Sequence, residues 1–216
     1  MAGQQGMTPA PVRIDGTESY IPLLNFPEIR LTPWKEADVD DMVKLYNTPE
    51  IEKWACRRPY PYKKEHTDFI ISTLPSLDAS IDIIKSSLPH PPSSPSQMQS
   101  IRCFPFGALR ITSTGKIIGS VYVGPGEREG GVWEIGYDLL PSYWGKGIGK
   151  CMILSTLEFL KWLGIKRVVS FYQPENIASG AVLSRLGFTK YVEKELEWPE
   201  EKGGDKRLVY GMTIDL

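Results

Sequence analysis

Residues 143–150 read YWGKGIGK, with glycines at 145, 147 and 149 and lysines at 146 and 150. The apolar run CMILSTLEFLKWLG follows at once, and the spacing predicts a helix over about 147–163. Glycine before a helix costs conformational entropy, and close approach of another molecule to the backbone is one reason to bear it. The bare amides of Gly145, Lys146, Gly147, Ile148 and Gly149 can turn toward one anion. The helix dipole adds partial positive charge, and Lys146 and Lys150 add charge at the rim. A diphosphate suits such a loop. A plain strand-to-helix turn uses glycine too, and stays open as the alternative.

Two other phosphate loops fit poorly. The G-x-x-x-x-G-K-[ST] pattern needs a hydroxyl after the lysine, but Cys151 follows Lys150 and Trp144 stands at the first glycine position. The dinucleotide pattern G-x-G-x-x-G follows an early strand. Here the spacing is G-x-G-x-G after a late one.

The elements that must position this loop are readable on both sides. Upstream, VWEIGYDLLP reads as a strand ended by Pro141, preceded by a hairpin of CFPFGALRIT and IIGSVYVG and by the turn GPGEREGG. Downstream, KRVVSFYQ is rich in β-branched and aromatic residues and reads as a strand. In ENIASGAVLSRLG, Asn176 is a good N-cap and Gly187 a good helix stop. Two last strands, FTKYVEKELEW and KRLVYGMTIDL, flank a polar turn. Nearer the start, EIRLTPW reads as a strand and KEADVDDMVKLYN as a helix. Thr48-Pro49-Glu50 opens a second helix, and a third begins near Lys63. The order β-ααα-βββ-α-β-α-ββ predicts an α/β (α+β) single domain with a mixed sheet. Residues 1–20 read as a flexible tail, and the domain as 21–216. Residues 86–100, rich in Pro and Ser, read as a mobile insertion in which His90 is a solvated loop residue.

Bulk properties narrow the classes. Net charge is −1 with no dense basic cluster, so nucleic acid is not an expected partner. The longest apolar run is far short of a membrane span. Cys56, Cys103 and Cys151 share no close spacing, so neither a metal site nor a disulfide framework is expected. The N-terminal stretch lacks the apolar core of a signal peptide. The cytoplasm is the default compartment, and the nucleus stays open.

EIGYDLLPSYWGKGIGKCMI followed by NIASGAVLSRLGF resembles the GNAT acyltransferase superfamily, in particular the branch of ribosomal-protein N-terminal acetyltransferases. The resemblance covers about residues 30–216 and includes LTPWKEADVDDMVKLYNTPEIEKW. It implies a mixed, mostly antiparallel sheet whose two central parallel strands splay apart, with acetyl-CoA in the splay. The family's [QR]-x-x-G-x-[GA] loop falls on residues 144–149, with Trp144 in place of the usual Gln or Arg. The pantetheine arm is then expected along residues 137–140, including Tyr137, Leu139 and Leu140, and Asn176 near the thioester.

The implied chemistry is direct acetyl transfer to a primary amine, on a peptide N-terminus or a small molecule, within a ternary complex. It needs a general base, an oxyanion donor and a thiolate leaving group. Glu134 is the candidate base, with a structural strand glutamate as the alternative. A strand amide near Leu139 is the candidate oxyanion donor. Many relatives carry a tyrosine acid where this chain has Leu183, so Ser179 is the remaining candidate, with ordinary helix capping as its alternative. A free thiol is acidic enough, at about 8.5, to leave without an acid. Trp34, Trp54, Tyr60 and Tyr62 fall where relatives cover the acceptor, or else are core. The competing function is a catalytically weak acyl-CoA-binding or partner-binding module on the same fold.

Overall fold

The computed structural model describes residues 9–126 and 132–216. Its first strands, β1 (Arg13–Asp15) and β2 (Glu18–Leu23), pair antiparallel across a turn at Gly16, where φ is +59°. A tail running to residue 20 is therefore not what forms. Ala10, Val12, Ile21 and Leu23 are buried in the larger apolar core, and β2 lies against the helix Ile148–Trp162, whose Ser155 Oγ donates to Pro22 O at 3.1 Å; that burial outweighs the local Gly and Pro content. The segment 127–131, which holds most of the predicted turn before residue 133, lies outside the described residues.

Strand β3 (Phe26–Thr32) leads through a single 3-10 turn into α1 (Val39–Tyr46) and α2 (Pro49–Glu52). Pro49 occupies the first helical turn after extended Thr48, where its missing N–H costs nothing. Helix α3 (Lys64–Ser87) runs on through Pro75. Leu77, Ile81 and Ile84 keep helical spacing beyond the proline and are all buried. The Pro/Ser-rich segment that follows is more than a loop. It carries α4 (Pro95–Ser100), closed by a capping box in which Gln97 N–H donates to Ser94 Oγ at 3.2 Å.

The remaining elements follow the predicted order: β4 (Ala108–Ile111), β5 (Ile117–Pro125), β6 (Trp133–Leu139), α5 (Ile148–Trp162), β7 (Arg167–Tyr172), α6 (Ile177–Arg185), β8 (Thr189–Glu197) and β9 (Lys206–Asp215). The described strands make one sheet in the order β1-β2-β3-β4-β5-β6-β7-β9-β8. Every neighbouring pair is antiparallel except β6 and β7. The chain is thus a single α/β domain with a mostly antiparallel sheet and one parallel pair at its centre.

Two apolar cores flank the sheet. The larger gathers Ile135 of β6, Met152, Ile153, Phe159 and Leu160 of α5, and Leu183 of α6. Phe104, Phe106 and Phe159 meet edge to face in it, with centroids 5.3–5.9 Å apart. The smaller gathers Trp34, Met42, Tyr46, Ile51 and Tyr62 over Ala108 and Ile117. The α1 end is pinned to β4 by a buried ion pair. Arg110 donates from Nη1 to Asp38 Oδ1 at 2.9 Å and from Nη2 to Oδ2 at 2.7 Å, a two-pronged fit.

Removing one partner of that pair strands a buried charge, so Asp38→Ala should lower unfolding free energy by about 3–5 kcal/mol. Denaturant melts would read it; a loss below about 1 kcal/mol would show that the pair is hydrated.

Candidate active site

Strands β6 and β7 pair over only two positions, Trp133↔Val168 and Glu134↔Val169, whereas β5 and β6 pair over seven. Past Glu134 the parallel strands part. The carbonyl of Ile135, left without a backbone partner there, accepts from Ser170 Oγ at 3.0 Å. Strand alternation therefore turns the backbone groups of Ile135, Tyr137 and Leu139 toward β7 and those between them toward β5. Leu140 N–H agrees with that count, donating to Ile118 O of β5 at 2.9 Å. The result is a slot, open at the C-terminal ends of both strands, with the amides of Tyr137 and Leu139 facing into it. At Leu140 the N–H goes to β5 and the carbonyl accepts from Tyr143 N–H at 2.9 Å.

The glycine loop lies where β6 ends. Gly145 and Gly147 have φ of +73° and +83°, which side chains avoid. Gly147 is the N-cap of α5, and the first intrahelical bond is Cys151 N–H to Gly147 O at 3.1 Å. The amides of Ile148, Gly149 and Lys150 precede it and are the orphan donors of the helix start. Gly149 is different. Its backbone is ordinary helix, and a methyl there would meet only Leu139 Cδ2, at an unstrained 3.8 Å. Neither backbone strain nor packing demands glycine at 149, so the loop keeps a bare Cα beside its free amides. This arrangement fits a diphosphate pressed against the main chain. Trp144 contributes no phosphate donor, because its Nε1 donates to Leu139 O at 2.6 Å. Lys146 is exposed, with Nζ donating to Ser142 O at 2.8 Å, and Lys150 is exposed as well.

On the α6 side, Tyr137 reaches across the slot. Its hydroxyl lies 2.8 Å from Ser179 Oγ. Burial pushes the Tyr137 hydroxyl up to about 12, partly offset by the Ser179 hydrogen bond. Asn176 Oδ1 accepts from Ser179 N–H at 3.2 Å and so caps α6. Asn176 is thus the N-cap the sequence predicts, and Ser179 supplies its backbone N–H to that helix-start bond while its hydroxyl meets Tyr137. Sequence spacing marked Tyr137 only for its backbone; its contact 42 residues downstream leaves no local signal. Leu183 is fully buried in the larger core. Glu134 is half-buried at the fork itself, in the last paired position of β6 with β7.

The opposite side of the slot carries charge. Arg58, in the loop after α2, donates to Asp138 Oδ2 at 2.6 Å, and Ser120 Oγ donates to the same oxygen at 3.0 Å. The Arg58 guanidinium stacks 3.9 Å over the Tyr46 ring. Burial pushes the Tyr46 hydroxyl up to about 12, against the pull of Arg58. Of the predicted aromatics, Trp34 and Tyr62 are core, whereas Tyr60 is exposed. Among the described residues no cluster of His, Cys, Asp or Glu could hold a metal ion, and no helix is long and apolar enough to cross a membrane.

Residues 28–189 match the family model of the acetyltransferase (GNAT) domain. The chain superposes on the ribosomal-protein-S5-alanine acetyltransferase of Vibrio fischeri with a TM-score of 0.67 at 19% identity, covering 89% of this chain and 96% of that one. A ribosomal L7/L12 alpha-N-protein acetyltransferase, solved in complex with coenzyme A, gives 0.64 at 19% identity, covering 91% and 98%. A mycothiol acetyltransferase of Amycolatopsis mediterranei is 35% identical over 66 residues, which is 31% of this chain and 21% of that protein. The chain spans between about a fifth and a half of the length of the curated relatives it matches.

Tyr46 and Tyr137 stay protonated in the native state while an unfolded tyrosine ionises near 10. Their stabilisation is complete below that value. It is lost as pH rises toward about 12, because the unfolded state there binds fewer protons. Each contributes at most about 2–3 kcal/mol. Tyr137→Phe should flatten the fall of denaturation free energy above about pH 10; an unchanged slope would mean that its hydroxyl is hydrated.

Proposed function

The chain belongs to the acetyltransferase (GNAT) family, whose acetyl donor is acetyl-CoA, and from that premise we propose that it is an N-acetyltransferase acting directly between thioester and primary amine. One observation carries the reading. Among the described strands the only parallel pair opens at Glu134, and the open slot ends at a helix start with free amides and an unforced glycine. A strand gap presents main-chain donors to an extended arm, and a helix start presents them to a diphosphate. Acetyl-CoA carries both, and supplies an activated acetyl group.

The proposed roles follow from position. The amides of residues 145–149 hold the diphosphate. Tyr137 and Leu139 pair with the pantetheine arm, and an N–H of theirs serves the oxyanion. Glu134 takes a proton from the acceptor ammonium, directly or through water, so that nitrogen has a lone pair. The N–C bond then forms, the C–S bond breaks, and coenzyme A leaves as thiolate. Asn176 and Ser179 shape the slot beside the thioester. Ser179 can offer its hydroxyl hydrogen bond to the sulfur, and the departing thiolate takes up the proton that the nitrogen sheds as the amide forms, through water where needed. Peptide N-termini and small amines both suit this chemistry, and we expect a ternary complex rather than an acetylated enzyme.

A second reading, a fold that binds acyl-CoA but transfers little, draws on buried Leu183, which leaves no tyrosine acid where many relatives carry one. Activity separates the two. Purified protein with acetyl-CoA and a panel of amines should release free thiol, and Glu134→Gln should cut kcat by about 10²–10⁴ while leaving CoA affinity in place. Equal turnover by the variant would remove Glu134 from the chemistry.

The loop has its own test. Gly149→Ala should keep or raise stability, since alanine is the better helix former, yet weaken CoA binding by about tenfold or more through overpacking against the diphosphate. Unchanged affinity by calorimetry would place the diphosphate elsewhere.

A further inference from the structure

A groove of about 700 Å³ lies between the middle of α3, the β1–β2 turn and the link from β3 to α1. It is remote from the slot. The sheet order puts four strand spacings between β2 and β6, about 19 Å, and none of the residues given a part in acetyl transfer lines it. Its apolar side is Trp34, Ile71, Leu74 and Pro75. Its polar side is acidic: Glu18, Glu36, Asp78 and Asp82 stand against Lys35 and Lys85. Both lysines are already engaged, Lys35 Nζ with Glu18 at 2.8 Å and Lys85 Nζ with Asp82 at 3.8 Å. Glu36 and Asp78 have no ion pair among the described residues, so their charges in the groove are uncompensated.

A second observation points into the same groove. Ser19 lines it, is 3% exposed, and its Oγ has no hydrogen-bond partner. Alternation along β2 sets Ser19 on the face of Ile21 and Leu23. The core that holds those two also holds Ile81, a wall of the groove. A buried hydroxyl left unpaired costs its desolvation, so a ligand that brings a partner is favoured.

The chemistry of that ligand follows from its surroundings. Unpaired carboxylates attract a cation. Among the described residues no acidic cluster could hold a metal ion, which leaves an organic cation. An ammonium N–H suits the Ser19 hydroxyl. An apolar body suits the side made by Trp34 and Leu74, at roughly fourfold in affinity per buried methylene.

We propose that this groove is a second ligand site, which takes a protonated amine carried on an apolar body. Ser19 Oγ accepts the ammonium N–H, and Glu36 and Asp78 balance its charge. The site does not depend on the acetyl-transfer reading.

Calorimetry with N,N-dimethylhexylamine tests it. Like lysine, that amine is protonated at neutral pH. It keeps one N–H, but as a tertiary amine it cannot become a neutral amide and so is no acetyl acceptor. The wild type should bind it about tenfold tighter or more than hexan-1-ol, with hexanoate weakest. Glu36→Gln combined with Asp78→Asn should weaken the amine about tenfold, and Ser19→Ala about threefold or more. Saturating CoA should leave its affinity unchanged. A wild type that binds no amine, or binds the alcohol as tightly, overturns the proposal. So does a double variant or a folded Ser19→Ala of full affinity, or a probe that CoA displaces, since that probe would sit in the slot. If Ser19→Ala does not fold, the exchange of the exposed Glu36 and Asp78 decides alone. A wild type that binds the probe but releases no thiol from acetyl-CoA with any amine overturns the catalytic reading and leaves this site standing.

Discussion

Backbone pairing between β6 and β7 stops after Glu134↔Val169, and every polar group beyond that point must find another partner. The chain solves part of this itself. Ser170 satisfies the Ile135 carbonyl, and the Trp144 indole satisfies that of Leu139. The Tyr137 and Leu139 amides stay aimed into the slot. A sheet that breaks its own ladder at the centre is stable only if the flanks hold it. Here β5 grips β6 over its whole length, and β9 grips all of β7. The opening is therefore held from both sides by intact antiparallel ladders.

Much of this was legible because it rests on local rules. Gly147 at an α5 N-cap, Asn176 as the cap of α6 and Gly187 at φ +91° after it are short-range requirements that residue type alone announces. The strand order after residue 107 followed from alternation and turn residues. What escaped has long sequence separation. Ser179 meets Tyr137 across 42 residues and Arg58 meets Asp138 across 80, and neither pair has a local pattern. The β1 and β2 hairpin escaped for another reason: its buried residues are interleaved with Gly and Pro, and only packing beside α5 reveals their alternation.

The two faces of the sheet near the slot differ in character. Toward α6 lie Tyr137, Ser179 and Asn176, a neutral set whose hydrogen bonds close on one another. Toward α1 and α2 lie Asp138, Arg58 and Tyr46, a charged set kept together by burial. Successive residues of β6, Tyr137 and Asp138, supply one member to each. A one-residue slip of that strand would exchange the two environments, and the seven-pair register with β5 guards against it.

Main-chain amides build the glycine loop and the strand edge, whereas side chains build the Arg58 and Asp138 cluster on the other face. That division separates what substitution can reach. Replacing a side chain leaves an N–H where it was, so with the proposed roles affinity for the acetyl donor is insulated from most sequence drift. The side-chain cluster has no such insulation, and if it faces the acceptor as the proposed function requires, new preferences can arise there by single exchanges while the donor half is kept.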